Sequence, residues 1–346
     1  MAKTMLGVDI GQDQMKLALV KNGRVLKTVS ASMPENLLRE GRITSRESMG
    51  EFIHATMKEN KIRANLAAFV LPNETVFIKN VEMPLMTVEQ LEYNLPFEFQ
   101  DYITGEVKDY VFDYAVLNIK EGEAEGTENG QGSAEASSET GSSTMELMAV
   151  GTLRSVLEDA QESLRKASLK MSIAAPGLCA YISLIRAQKD TLSKVAEEYG
   201  ILDLGYGAIR MFMFKGDRNV ATRVLEVGLS RLDEVLSEAY SVDVHLAHTY
   251  LMSNYEGCQS RAECMAAYEN IAVELMRALN FYRFSNPDSA LSDIWLCGGG
   301  AVIRPLTDTI GDMLDIQLHP AEELVPGGSG IEDCYNFVQA IGITMG

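Results

Sequence analysis

The sequence predicts an α/β fold built by duplication, with two lobes of similar plan and a cleft between them. Three observations lead there. Residues 5–32 and 200–226 share one pattern: an apolar strand carrying Asp-x-Gly, an alternating strand, a polar turn containing glycine, and a third strand. A glycine cluster, Gly298-Gly299-Gly300, follows a further apolar run and precedes a helical pattern. The chain of 346 residues is longer than an ordinary single domain, so each lobe can bury its own core.

The elements justify themselves in chain order. Residues 5–10 form an apolar run ending at Asp9 and Gly11; residues 15–20 alternate, 21–24 turn, and 25–32 extend again. Residues 110–119 and 145–153 read as two more strands. Between them, residues 121–144 hold six Glu, no Lys or Arg, and no apolar side chain larger than Ala. Such a segment cannot bury enough surface to offset its ordering entropy, which predicts a floppy acidic loop joining adjacent strands. The first pattern then returns: a strand at 200–204, Asp203-Leu204-Gly205, a strand at 208–214, a turn at 215–218 and a strand at 219–226. A helix over 230–240 places Leu232, Val235, Leu236 and Ala239 on one face. Residues 293–297 read as a buried strand, and 305–314 as the helix after the glycine cluster.

Composition narrows the function. With 30 Lys and Arg against 49 Asp and Glu, the net charge is −19, which opposes binding to nucleic acid or to an anionic membrane surface. No run of about 20 apolar residues is present to span a bilayer. The longest candidate, 173–185, contains Pro176 and Gly177. The first residues run straight into a strand pattern without the apolar core of a signal peptide, so a cytoplasmic protein is expected. Five cysteines without a Cys-x-x-Cys pair point to reduced thiols. His245, His248, Cys258 and Cys264 match no zinc-finger spacing and read as packing residues on helical segments.

The paired Asp-x-Gly turns carry the chemistry. Gly11 and Gly205 let backbone N–H groups turn toward a bound anion where a side chain would obstruct it. Asp9 and Asp203, at equivalent strand ends, suit a hydrated Mg2+ that escorts phosphates, and Lys16 offers a cation beside them. Strand, glycine turn and helix at 293–314 form an arrangement that admits a nucleotide close to the backbone. Neither the dinucleotide G-x-G-x-x-G nor the phosphate-loop G-x-x-x-x-G-K-[ST] occurs. Taken alone, each Asp-Gly is also compatible with a plain hairpin turn.

These residues resemble the actin-like ATPase superfamily, whose core is the duplicated ribonuclease H-like fold. Within it the chain is similar to the PilM family of type IV pilus assembly proteins, relatives of the cell-division protein FtsA. The resemblance rests on residues 83–91 with 95–103, 109–117, 274–282, 294–306 and the terminal 340–343. It implies ATP with Mg2+ in the cleft. Asp9, Gly11, Gln12 and Lys16 would form the first phosphate loop, and Asp203, Gly205, Gly207 and Gly228 the second. Gly298, Gly299 and Gly300 would form the adenosine motif, with Glu274 and Arg277 near the adenine, and Asp9 and Asp203 would hold the metal through water. It also implies subdomain 1A at 1–83, 171–199 and 331–346, an FtsA-type subdomain 1C at 84–170, 2A at 200–240 with 291–330, and 2B at 241–290.

A function follows from the same resemblance. The family's members are cytoplasmic adaptors that take the N-terminal tail of the inner-membrane protein PilN in a groove between 1A and 1C. PilN leads on to PilO, and the adaptor itself faces the pilus motor. The chain stops at Gly346 without FtsA's amphipathic membrane tail, so attachment to the inner membrane is expected to run through the partner. Departures from the family pattern gather at the phosphate end. Gln12-Asp13-Gln14 stands where hydroxyl residues are usual, and Asp13 adds a carboxylate that would repel phosphate unless it points away or binds the metal. Residues 173–176 supply no Asp, Glu or Gln to orient a water. Nucleotide binding with little or no turnover is therefore the expectation. An FtsA-like self-assembling scaffold and a small-molecule kinase on the same fold are the alternatives.

Overall fold

The structure, a computed structural model, describes residues 4–120, 143–192 and 195–346. The acidic loop expected at 121–144 lies outside the described residues except at its last two positions. In chain order the elements begin with β1 (Thr4–Ile10), β2 (Gln14–Lys21), β3 (Arg24–Ser32), β4 (Leu38–Arg39), β5 (Arg42–Ile43), α1 (Arg46–Glu59) and β6 (Leu66–Leu71). Next come β7 (Val76–Pro84), α2 (Val88–Asn94), β8 (Tyr110–Lys120), β9 (Thr144–Leu153), α3 (Arg154–Lys166), β10 (Lys170–Pro176), α4 (Gly177–Ala187) and α5 (Lys189–Leu192). The remainder comprises β11 (Glu198–Leu204), β12 (Ile209–Lys215), β13 (Arg218–Leu225), α6 (Ser230–Tyr240), α7 (Val244–Ser253), α8 (Ala262–Ser285), β14 (Asp293–Cys297), α9 (Arg304–Leu314), β15 (Gln317–Pro320) and α10 (Cys334–Gly342).

Residues 1–72 and 161–346 make one compact unit, and residues 73–160 a second. The first unit contains the duplication. Its two five-stranded sheets run β10-β6-β1-β2-β3 and β13-β12-β11-β14-β15. In each, a central strand pairs antiparallel with the next strand in sequence and parallel with a later one. The central strands read as near-continuous apolar runs because both faces are covered; every residue of β11 and β14 is buried. Helix α10 packs on β1, β2 and α4, which completes the first lobe. The second lobe closes over one apolar core drawn from β11–β14 and α6–α9, with Leu202, Met211, Leu232, Leu251, Leu275, Ile294 and Ile310 at its centre.

The second unit is a three-stranded antiparallel sheet, β7-β9-β8, whose core is shared by β7, β9, α2 and a 3-10 segment from Leu95 to Tyr102. Strands β8 and β9 pair directly, from Tyr110 opposite Leu153 to Lys120 opposite Thr144, so the acidic insertion joins neighbours. The unit begins at Asn73 and takes β7 as a strand of its sheet. Thr87 caps α2 with a reciprocal box: its hydroxyl accepts from the Gln90 N–H while the Gln90 side chain accepts from the Thr87 N–H at 3.0 Å. Thr87→Ala is expected to cost about 1 kcal/mol, read as a lower urea midpoint with an unchanged slope.

Candidate functional site

The duplication places Asp9 and Asp203 at matching positions. Asp9 pairs in register with Lys16 on one side and Val70 on the other; Asp203 pairs with Arg210 and Cys297. The Lys16 ammonium lies 3.7 Å from the Asp9 carboxylate. Gly11 closes the turn between β1 and β2 by donating its N–H to the Gln14 carbonyl at 2.9 Å. A side chain on Gly11 would reach toward both that carbonyl and the Lys16 ammonium. One cation, one carboxylate and a glycine turn thus share the end of the first lobe's central strand.

The second loop is built by close backbone approach. The N–H groups of Leu229 and Ser230 donate to the carbonyls of Gly205 and Tyr206 at 3.1 and 3.0 Å, and Gly228 lies against the Tyr206 carbonyl, leaving no room for a side chain. The Gln12 side chain of the first loop reaches Gly207 of the second, with its amide oxygen 2.5 Å from where a Cβ would stand. The structure therefore brings Gln12 and Gly207 together across the two lobes.

The third glycine cluster completes the surroundings of Asp203. Gly298 has φ +84° and donates its N–H to the Tyr335 carbonyl on α10 at 2.9 Å. Asp203 is buried, and its carboxylate accepts from the Gln339 amide at 2.8 Å. The same amide donates to the Tyr181 hydroxyl at 3.1 Å, and that hydroxyl lies 3.2 Å from the Cys297 sulfur. Burial, reinforced by the Asp203 charge, pushes both the Tyr181 hydroxyl and the Cys297 thiol above their ordinary pKa values, so both are neutral donors at physiological pH. Two residues of the first lobe, Tyr181 and Gln339, thereby hold the strand end of the second.

The remaining expected residues fall differently. Glu274 and Arg277 form an ion pair with each other on the exposed side of α8, one turn apart. Among the described residues no three metal-ligating side chains converge. Cys258 and Cys264 are buried, the former donating to the Tyr250 carbonyl, while His248 faces carboxylates. Asp13 is turned to His248, with 3.5 Å between its carboxylate and Nε2. Sequence reasoning missed Gln339 and Tyr181, which no local motif marks, and the pairing of Asp13, whose charge alone was legible. No helix among the described residues is long and apolar enough to cross a membrane.

The family model described as type IV pilus assembly protein PilM matches residues 7–130 and 133–324. Among solved structures, a PilM–PilN type IV pilus biogenesis complex aligns with a TM-score of 0.79 at 20% identity, over 98% of this chain and 97% of that one. The ethanolamine utilization protein EutJ from Carboxydothermus hydrogenoformans aligns with a TM-score of 0.60 at 12% identity, over 100% and 89% of the two chains. MreB 5 of Spiroplasma citri, bound to AMPPNP, aligns at 0.50 with 10% identity, over 95% of each chain. No curated protein matches the sequence. At these identities the structural neighbours establish an actin-like fold.

Proposed function

The chain belongs to the PilM family of type IV pilus assembly proteins, and from that premise we propose that it is an adaptor of the pilus assembly complex on the cytoplasmic side of the inner membrane. Its partner in this reading is the N-terminal tail of a PilN-like membrane protein, which would link it to PilO and leave it facing the pilus motor. The observation that carries the reading is the family match over nearly the whole chain. The solved PilM–PilN complex supports the choice of partner. So does the second unit, where Leu85, Val88, Tyr93 and Phe97 stay exposed around α2, an apolar set suited to a short peptide.

ATP is the nucleotide we propose for the glycine loops. The residues fit such a group: Lys16 and Gly11 meet at one strand end, while Gly298 brings backbone into close contact with Asp203 at the other. Gly11, Gln12, Gly205, Gly207 and Gly228 would line the phosphates and Gly298, Gly299 and Gly300 the adenosine, with Glu274 and Arg277 as outer contacts. Asp9 and Asp203 would hold Mg2+ through water, and the ion would neutralise phosphate charge there. We propose binding without appreciable turnover, because residues 173–176 supply no Asp, Glu or Gln to orient a water and the Asp13 carboxylate is turned to His248.

The test is calorimetric titration of a synthetic peptide from the N-terminus of the PilN-like protein, with and without Mg-ATP. Saturable binding that weakens in Tyr93→Ala and Phe97→Ala supports the adaptor, and no binding in either condition refutes it. In parallel, Lys16→Ala is expected to lower ATP affinity roughly tenfold, the worth of one charged contact. Unchanged affinity in that variant would remove the phosphate assignment of the first loop.

A further inference from the structure

Two of the chain's four histidines stand one turn apart on α7 and meet carboxylates of the opposite lobe. His248 is bracketed. Its Nδ1 lies 3.0 and 3.2 Å from the two oxygens of Asp233 on α6, and its Nε2 lies 3.5 Å from Asp13 in the turn between β1 and β2. His245 Nε2 lies 3.1 Å from Glu35, in the connection after β3. Asp13 and Glu35 belong to the first lobe, Asp233 and both histidines to the second. We propose that this imidazole pair is a proton-operated clasp between the lobes, closed when His248 is doubly protonated and released when its Nε2 gives up the proton.

The chemistry of the ring makes the release directional. A neutral imidazole donates from one nitrogen only, whereas the imidazolium donates from both. Asp233 is fully buried and also accepts from the Tyr206 hydroxyl, so it keeps the Nδ1 proton in either state. The nitrogen that deprotonates is Nε2, the one facing Asp13. Loss of that proton turns a charged hydrogen bond into an approach of lone pair to carboxylate. The intralobe half of the contact survives and the interlobe half does not.

The surrounding charges all favour the cation. Asp233 comes from α6 and Asp13 from the first turn, and the Tyr206 ring stands edge-on at 5.6 Å. Glu234, beside Tyr206, is tied to Arg231 at 2.7 Å. His245 faces Glu35 and the helix-capping Asp243, and both it and Glu35 are well exposed, so His248 carries most of the effect. The hydrogen bond to Asp233, aided by the charges of Asp233 and Asp13 and opposed by burial, raises the His248 pKa above its ordinary 6.5. A raised folded-state pKa means that the clasp is at full strength below about 6.5 and is lost as pH climbs through the raised value.

The experiment follows His248 in the full chain. Its ring titration by NMR is expected to shift to lower pH in Asp13→Asn, a change made on the opposite lobe and away from the helix. Spin labels at positions 24 and 269, both exposed and on different lobes, in a Cys179→Ser background, report the interlobe distance. That distance should lengthen between pH 6 and pH 8.5 in the parent and show no pH dependence in His248→Gln, whose amide can still donate to Asp233. A titration unmoved by Asp13→Asn overturns the proposal. So does an interlobe distance that ignores pH in the parent, or one that still responds to pH in His248→Gln.

Discussion

Gly298→Ala is expected to destabilise the protein by about 3 kcal/mol, while Gly299→Ala, one residue on, changes stability by less than about 0.5 kcal/mol. The first residue has φ +84° and ψ 168°, a region that side-chain-bearing residues avoid, so alanine there is strained before any contact is counted. A methyl group would also stand 2.6 Å from an Asp203 carboxylate oxygen and 2.7 Å from the Leu204 carbonyl oxygen. Its escape routes are closed, because the Gly298 N–H is tied to Tyr335 and Asp203 to Gln339. At Gly299 the nearest atom is the tip of Leu229 at 3.4 Å, an ordinary packing distance. Urea unfolding of the two variants at equal slope decides the matter. Equal midpoints would mean that the turn around Asp203 is not built as described.

That contrast marks the limit of what the sequence discloses. The duplicated strand pattern was legible because both central strands are buried on two faces, and their apolar runs survive any change of partner. The equivalence of Asp9 and Asp203 was legible for the same reason, being a matter of position along a repeated strand. The Glu274–Arg277 pair could be anticipated from helical spacing alone, whereas their proposed place near an adenine could not. The three glycines of the last cluster look identical in sequence. They differ only once Leu204, Leu229 and Tyr335 are folded around them.

Gln339 shows the other kind of concealment. It reaches Asp203 across 136 positions, and nothing in its neighbourhood sets it apart from a surface glutamine on an apolar helix. Asp13 is a similar case: its charge was legible, but its partner His248 lies 235 positions away on α7. Both contacts join the two lobes. Interactions of this kind are set by how lobes meet, which strand and helix periodicities do not encode.

Gly7→Ala is the second substitution expected to be severe, at about 3 kcal/mol, although its backbone conformation is one that any residue adopts. The cause is the docking of α10 against β1. An added methyl would overlap the Ala340 carbonyl oxygen and stand 2.7 Å from the carbonyl carbon, so backbone would meet backbone and α10 would have to retreat. The helix has nowhere to go, because on its other side Gly342 is pressed against the Ala180 carbonyl of α4. Gly200 in β11, another glycine of a central strand, offers a contrast: there the added methyl meets the side chain of Ile294 at 2.9 Å, which can change rotamer, and Gly200→Ala should cost less. Displacing α10 also moves Tyr335 and Gln339, the residues that hold Gly298 and Asp203. The Gly298 amide, whose acceptor is the Tyr335 carbonyl, should therefore exchange with solvent faster in Gly7→Ala than in the parent. Full stability together with unchanged exchange at Gly298 would refute the view that α10 is the strut positioning the second lobe's strand end.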